Sequence, residues 1–309
     1  MAGTLAERGD CLSALHLRLS IRAEGAEPGR ALLGIAPICG YPPVEVLAPP
    51  IFLLTDFGDR DHYVGHVKAV IAGIAPRAPV VDISHGIEPF AIDEAAWMLE
   101  ITLPVLPESA VLVAVVDPGV GTSRRALAAC RDGRYFVGPD NGVLTPVLRG
   151  LRGRHEGECD VREITAPQFQ RATVSSTFHG RDIFAPVAAH LAAGLDFRRV
   201  GSPASEPVLL PPCEGEPHGF GRLRGHIVHI DRYGNLVTTI RASQLFPQFV
   251  IEACGCEIDV RVRTFAEAPR GAPFCHAGSS GFIVIAVNEG SAAELLGASR
   301  GDPVLVRAR

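Results

Sequence analysis

Three aspartates, Asp56, Asp82 and Asp117, follow short apolar runs and carry the clearest signal for chemistry in this sequence. The run before Asp117, Val111–Val116, contains only apolar residues, most of them valine, and it ends just before Pro118. Such a run is typical of a strand that is buried on both faces of a parallel sheet. Ligands of open α/β sheets bind beyond the carboxyl ends of the strands, so we expect the three carboxylates at one edge of a sheet. That edge would suit a ligand rich in hydroxyl or amino groups, or a metal ion.

The local sequence leaves two interpretations of Asp117 open. The turn Pro118–Gly121 lets backbone approach a ligand, and Arg124 and Arg125 can return positive charge to the same crevice. Alternatively, Asp117 only caps the next element or pairs with Arg125. A similar choice exists for His179, which alone would be an ordinary residue at a helix start. Its place beside a glycine, in a fold with spare carboxylates, makes it a candidate site residue.

Composition restricts the classes of function. The 309 residues are 47% hydrophobic and 20% charged, as in a globular protein of one large or two ordinary domains. The net charge of −5 and the lack of a Lys/Arg run argue against nucleic acid as the main partner. No apolar stretch predicts a membrane span or a signal peptide.

The cysteines favour a cytoplasmic protein with reduced thiols, because the eight of them form no disulfide framework. One cluster, Cys254 and Cys256 with Cys275 and His276, could hold a metal ion. Its two-residue cysteine spacing differs from that of the usual zinc sites.

The chain is predicted to contain two domains. Residues 51–195 alternate strand and helix patterns, which predicts an α/β domain with a mainly parallel sheet flanked by helices. Residues 219–309 predict a smaller antiparallel, barrel-like β domain. Residues 196–218 are interpreted as a Pro-rich linker, and residues 1–50 as a poorly ordered extension.

Individual elements follow from periodicity and from proline and glycine positions. Helices are predicted over Val64–Ile74, Ile92–Leu103, Leu144–Leu148, Ile183–Leu191 and Ser291–Leu296. Strands of the second domain are predicted over Gly225–Ile230, Asn235–Ile240, Ile258–Val262 and Gly281–Val287. The polar segment Gly150–Asp160 predicts a surface loop.

Several sequence words occur in an order that resembles one enzyme family. They are Leu54-Thr-Asp-Phe-Gly58, Asp82-Ile-Ser-His85, Val115-Val-Asp-Pro-Gly-Val-Gly-Thr122, Gly138-Pro-Asp-Asn-Gly142, Asp231-x-x-Gly-Asn235 and Ser280-Gly281 through Asn288. They are similar to the S-adenosylmethionine hydroxide adenosyltransferases, hydrolases related to the fluorinating and chlorinating adenosyltransferases. The resemblance covers about residues 51 to 309.

The resemblance implies hydrolysis of S-adenosylmethionine to adenosine and L-methionine, with no cofactor and no metal. The family's catalytic set for water corresponds to Asp117, Arg124 and His179. Attack at the ribose 5′ carbon beside a sulfonium needs no general acid, because the leaving group is already good. It needs one water held in line with the sulfur.

The resemblance also implies which residues bind the substrate. Asp56 would hold the ribose hydroxyls, and Asp61 and Asp231 would lie near the methionine ammonium. Phe90 would lie against the adenosyl group and Asn235 would contact the adenine. Phe178, also counted among the substrate-binding residues, lies next to the catalytic histidine. The backbone around Ser280, Val287 and Glu289 would complete the carboxylate and adenine contacts. For Phe90 and Phe178, plain core packing is the alternative.

By the same resemblance the protein is expected to be a homotrimer, with each site between two subunits.

The first rival interpretation is a metal-dependent hydrolase that uses Asp56, Asp82, His85, Asp117 and His179. The second is a module that binds S-adenosylmethionine or adenosine without turnover. A phosphate-handling enzyme is less favoured, because the glycine-rich turn after Asp117 lacks the P-loop lysine.

Overall fold

The computed structural model describes residues 48–150 and 158–309. Almost all of the predicted extension, and most of the predicted loop Gly150–Asp160, lie outside these ranges. The described residues form a six-stranded sheet flanked by helices and a second, antiparallel sheet of eight strands that is nearly closed like a barrel. This arrangement confirms the predicted fold class.

The first sheet positions the candidate site. Its strands are β1 (Ile51–Thr55), β2 (Val80–Ser84), β3 (Val111–Val115), β4 (Ala126–Arg131), β5 (Arg134–Pro139) and β6 (Asp160–Glu163), in the order β2-β1-β3-β5-β4-β6. The pairs β1–β2, β1–β3 and β3–β5 are parallel, whereas β4 runs antiparallel to both of its neighbours. Every residue of β3 is buried, as its apolar run predicts.

The helices cover both faces of this sheet. They are α1 (Tyr63–Ile74), α2 (Ile92–Thr102), α3 (Thr145–Arg149) and α4 (Ala185–Ala192), and a fifth, α5 (Ala292–Leu296), lies in the second sheet's domain. Buried residues of α1 and α4 pack on one face, and those of α2 and α3 on the other. The predicted helix at Ile183 begins earlier, with a π-helical turn over Gly180–Phe184. No helix in the described ranges is long and apolar enough to cross a membrane.

Strand β4 is absent from the sequence-based prediction. Half of its residues, Ala-Leu-Ala-Ala-Cys-Arg, are alanine, which favours a helix over a strand. It nevertheless pairs with β5, because Asp132 and Gly133 between them adopt φ values of 51° and 74°. A two-residue Asp-Gly turn with positive φ at both positions is a strong hairpin signal that was available in the sequence.

The second sheet is antiparallel throughout. Its strands are β7 (Glu216–Pro217), β8 (Arg222–Ile230), β9 (Leu236–Arg241), β10 (Phe249–Ala253), β11 (Cys256–Ile258), β12 (Pro273–Ala277), β13 (Phe282–Val287) and β14 (Pro303–Ala308). The predicted strand Ile258–Val262 is wrong beyond Ile258. Val260 and Val262 instead flank an isolated bridge to Cys275, whose backbone nitrogen and oxygen they pair with at 2.9 and 3.3 Å.

The second sheet contacts the first domain through helix α2. The rings of Trp97 and His229 stack with centroids 5.1 Å apart, and His229 Nδ1 lies 2.5 Å from Glu94 Oε1. Arg300 adds a contact of 3.0 Å to Asp93. These contacts hold the second sheet on the face opposite α1 and α4.

Gly138 of β5 offers a test of how tightly the central strands pack. A Cβ atom there would lie 2.5 Å from the backbone oxygen of Ala114 in β3, so Gly138→Ala must shift one of the two strands. We expect the free energy of unfolding to fall by about 1–3 kcal/mol, measured by chemical denaturation. The matched control is Gly73→Ala in α1, where a Cβ meets no atom within 4 Å. That variant should gain about 0.5–1 kcal/mol from helix propensity. Equal stability of the two variants would contradict the packing described.

Candidate active site

Asp117 lies just beyond the carboxyl end of β3, on a turn that brings Arg124 back toward it. The turn is closed by hydrogen bonds from Val120 N to Asp117 O (3.2 Å) and from Thr122 Oγ1 to Gly119 O (2.7 Å). Because the turn is short and internally bonded, the backbone fixes where the arginine returns.

Arg124 binds the carboxylate of Asp117 through two of its nitrogens. Its Nε donates to Oδ1 at 2.9 Å and to Oδ2 at 3.1 Å, and its Nη2 also donates to Oδ2. The two side chains are 10% and 6% exposed. Nη1 donates to the backbone oxygen of Arg125, and the guanidinium lies 5.2 Å from the centre of the Phe184 ring. The pair is therefore held rigidly and largely out of solvent.

His179 completes the group, because Arg124 Nη2 lies 2.8 Å from its Nδ1. A guanidinium can only donate, so Nδ1 is the acceptor and the neutral ring carries its proton on Nε2. Burial lowers the pKa of His179 below its ordinary value, and the positive charge of Arg124 lowers it further. The ring precedes the π-helical turn over Gly180–Phe184, and such turns are frequent at functional sites.

Asp182, within the π-helical turn, anchors the loop before His179. It is fully buried and accepts hydrogen bonds from Arg181 Nε at 2.7 Å and from Ser175 N at 2.9 Å. Burial raises the pKa of Asp182, but the bonds from Arg181 and Ser175 outweigh it and the pKa lies below its usual value. The sequence analysis missed this residue, although it stands three positions after His179.

Asp56 follows β1 and lies close enough to Asp117 for their charges to interact. The pKa of Asp56 lies above its usual value, mainly because the group is buried. The Phe90 backbone N–H donates to Oδ2 at 3.0 Å and offsets part of this rise, whereas the charge of Asp117 adds to it. Phe90 has φ of 70°, unusual for a residue with a side chain, and its side chain is 70% exposed. That exposure argues against core packing for Phe90.

An aromatic group stands beside His179. The Phe178 ring packs edge-on against Phe57 and Tyr63, with centroids 5.7 and 5.3 Å apart. A Cβ atom on Gly180 would lie 3.0 Å from the Phe57 ring, so only glycine at this position lets the Phe57 ring pack this close to the backbone. Phe178 is 8% exposed and belongs to the buried core on this face of the sheet.

The remaining predicted residues lie on the second sheet and on the turn before α1. Asp231 is bound by the backbone N–H of Asn235 (3.0 Å) and by its side-chain Nδ2 (2.8 Å). Val287 and Glu289 follow at the same end of β13, next to β9. Ser280 lies at the opposite end of β13. Asp61 is exposed in the turn before α1.

Two expectations about the site need correction. Asp82 does not join Asp56 and Asp117, because it is paired with Leu53 inside β2 and its side chain binds Lys68 at 2.6 Å. Pairing of Asp117 with Arg125 is also wrong, because Arg125 binds Asp140, with Nε 2.8 Å from Oδ2. The local sequence did not distinguish the two arginines.

A cleft of about 820 Å³ lies between α2 and the second sheet, away from Asp117. Its lining includes Ser280 but none of Asp56, Asp117 or His179. Cys254 and Cys256 lie at the β10–β11 turn and Cys275 in β12. Within the described ranges, no group of three or more His, Cys, Asp or Glu residues is arranged to hold a metal ion.

Comparison with known proteins assigns the family. Residues 51–201 match the model of the SAM hydroxide adenosyltransferase N-terminal domain, and residues 225–305 match that of the C-terminal domain. This chain belongs to the SAM hydroxide adenosyltransferase family. It is 44% identical over 260 residues to the (R)-S-adenosyl-L-methionine hydrolase of Thermus thermophilus, covering 82% of this chain and 98% of that protein.

A more distant relative and a solved structure also match most of this chain. A fluorinase from Actinoplanes is 26% identical over 283 residues, covering 78% of this chain and 91% of that protein. The crystal structure of an uncharacterized conserved protein from Thermotoga maritima superposes with a TM-score of 0.75 at 37% identity, covering 83% of this chain and 99% of that one. The SAM hydroxide adenosyltransferase fold thus extends over both sheets.

The charge of Arg124 leads to a testable prediction for the pKa of His179. In the wild-type protein His179 should titrate below the ordinary histidine value, and Arg124→Met should raise its pKa. The substitution removes a repelling positive charge and leaves the negative charge of Asp117, which favours the protonated ring. NMR titration measures both. His190 is the internal control, because burial alone lowers its pKa and it should not respond to the substitution. A His179 pKa at or above the ordinary value in the wild type would contradict the arrangement.

Proposed function

We propose that this protein hydrolyses S-adenosyl-L-methionine to adenosine and L-methionine. The single observation that carries the proposal is the ion pair between Asp117 and Arg124 at the carboxyl end of β3, with Arg124 also bonded to His179. The name of the Thermus relative specifies the R form of the substrate. We extend that preference to this chain.

The reaction is an in-line displacement at the ribose 5′ carbon. The sulfonium leaves as neutral methionine, so no acid is needed on the leaving group. The enzyme has to hold one water opposite the sulfur, close to the carbon, and remove a proton as the new bond forms.

Each member of the set has a role in placing that water. Asp117 accepts its proton, and Arg124 fixes the carboxylate in one orientation. His179 is bound to Arg124 through Nδ1, so its Nε2–H is free to donate to the water oxygen. This assignment leaves the histidine neutral, in accord with its lowered pKa.

The substrate contacts follow from which groups donate. Ribose hydroxyls and the methionine ammonium donate hydrogen bonds, so carboxylates suit them. Asp56 would take the ribose diol, and Asp61 and Asp231 the ammonium. Phe90 and Phe178 would contact the adenosyl group, and Asn235 the adenine. The backbone at Ser280, Val287 and Glu289 would complete the carboxylate and adenine contacts.

Water rather than halide is the proposed nucleophile. In this chain Asp117 lies where the nucleophile would be held, and Gly180 carries no hydroxyl. A carboxylate close to a halide in a site shielded from solvent would repel it.

We also propose that two subunits share each site in a homotrimer. Asp56 and Asp117 lie at the edge of the first sheet, whereas Asp231 and Asn235 lie at a hairpin of the second. Within one chain, α2 and Glu88 just before it contact the second sheet's domain. The exposed Phe90 ring beside Asp56 suits coverage by a neighbouring subunit.

The free thiols of the described cysteines suit a cytoplasmic protein.

The direct test is incubation with S-adenosylmethionine and chromatography for adenosine and methionine in equal amounts. Turnover that persists after thorough chelation would exclude the metal-dependent rival. Binding without product would favour the binding module and refute the proposal.

Asp117→Asn tests the role of the carboxylate. We expect kcat to fall by about two to four orders of magnitude, with little change in substrate affinity, because the amide cannot take a proton from water. Asp56→Asn should instead weaken binding, because the amide NH₂ would face the ribose O–H donors. Steady-state kinetics and calorimetry separate the two effects.

Asp140→Asn is the matched control for Asp117→Asn. Asp140 is also a buried carboxylate bound to an arginine, but it lies on the neighbouring strand end and pairs with Arg125. It should lower stability and leave kcat near the wild-type value. If Asp117→Asn turned over normally, the water would need another base.

Subunit mixing tests the shared site. Asp117→Asn damages the first-sheet half and Asn235→Ala the second-sheet half, so each variant alone should be nearly inactive. A mixture reassembled in equal amounts should recover activity at about one quarter of its sites, because each site draws one half from each of two neighbouring subunits. No recovery, or full wild-type activity of a monomer in sedimentation, would refute the shared site.

A further inference from the structure

We infer that Thr55, His85 and Asp82 form a positioning network that holds the Asp56 loop in place for the ribose. The inference rests on the proposed function, because it takes Asp56 as the group that binds the substrate. None of the three residues belongs to the catalytic set. Asp82 and His85 belong to a sequence word that the catalytic set leaves unexplained.

The inner half of the network brackets Asp56 on both sides. Thr55 Oγ1 lies 2.8 Å from His85 Nδ1, and the two residues are 2% and 6% exposed. The same hydroxyl accepts from Phe57 N at 3.2 Å, and His85 O accepts from Gly58 N at 2.7 Å. Thr55, just before Asp56, and Gly58, two positions after it, are therefore both bonded to one buried histidine.

The outer half of the network reaches the surface. His85 Nε2 lies 3.1 Å from Asp82 Oδ1, off the line of an ideal hydrogen bond, and Lys68 Nζ binds Asp82 Oδ2 at 2.6 Å. Burial raises the pKa of Asp82, but the hydrogen bond from Lys68 and the close contact with His85 outweigh it and lower the pKa. An ionised Asp82 can only accept, which favours the His85 tautomer with its proton on Nε2.

The proton positions then run in one direction. His85 Nδ1, left without a proton, accepts from the Thr55 hydroxyl, and that oxygen accepts from Phe57 N–H. The Thr55 hydroxyl is thus used once as donor and once as acceptor, so it has no reason to rotate to another partner. The backbone at Asp56 is thus fixed before substrate arrives, which is what recognition of a diol by one carboxylate requires.

Thr55→Val is the central test, because it keeps the shape of the side chain and removes only the hydroxyl. We expect the Kd for adenosine, measured by calorimetry, and the KM for S-adenosylmethionine to rise about ten-fold, with kcat changing less than about three-fold. Thr55→Ser restores the hydroxyl and should bind nearly as the wild type does. A protein that is merely destabilised would lose active fraction and show an unchanged Kd.

Thr102→Val is the matched control. Thr102 is a buried threonine of α2 whose hydroxyl makes one hydrogen bond, to Met98 O at 2.6 Å, away from Asp56. Its loss should lower the melting temperature without altering the Kd. A wild-type Kd for Thr55→Val, or an equal rise for Thr102→Val, would overturn the inference.

A second pair of measurements applies even if Thr55→Val does not fold. Asp82→Asn changes a side chain that is 40% exposed, and should raise the Kd about two- to three-fold through His85. Nitrogen NMR of the wild type should show the His85 proton on Nε2. A proton on Nδ1, or an Asp82→Asn Kd equal to wild type, would overturn the network. Because adenosine binding needs no turnover, a wild type that fails to hydrolyse S-adenosylmethionine would refute the proposed function separately.

Discussion

Arg124 donates to both oxygens of Asp117 and, through its outer nitrogen, to the ring of His179. Three side chains from two distant parts of the sequence thereby become one rigid group. The guanidinium cannot accept a hydrogen bond, so it also decides where the histidine proton lies. The orientation of the carboxylate and the neutral state of the imidazole both follow from this single cation.

The fold holds these three side chains in fixed positions relative to one another. β3 is buried along its whole length and places Asp117 at the sheet edge, and His179 lies immediately before the π-helical turn. Asp182 secures that second segment from inside the protein. The chemistry asks little of the protein beyond placing one water, because the sulfonium supplies a good leaving group. A rigid cage is therefore a sufficient catalyst in physical terms.

The parts that follow from local sequence were predictable. The apolar run before Asp117 specifies a buried parallel strand, and the helical periods of α1 and α2 give their bounds to within a residue. The family resemblance gave the members of the catalytic set. Strand β4 escaped because its alanines favour helix, and only the Asp-Gly turn shows the hairpin.

Other features depend on contacts that no local pattern encodes. Asp82 ends an apolar run as Asp56 does, but strand register places it within β2, where Lys68 binds it. Which of two adjacent arginines reaches Asp117 depends on the shape of a turn. The bond between Thr55 and His85 joins residues 30 positions apart and is visible only once β1 and β2 are paired.

The central claim is that the set around Asp117 directs water to the ribose 5′ carbon. The most direct measurement is hydrolysis of S-adenosylmethionine in water enriched in oxygen-18, followed by mass spectrometry of both products. The account predicts one heavy oxygen in the 5′ hydroxyl of adenosine and none in methionine. Heavy oxygen in the amino-acid product, or adenosine without label, would contradict it.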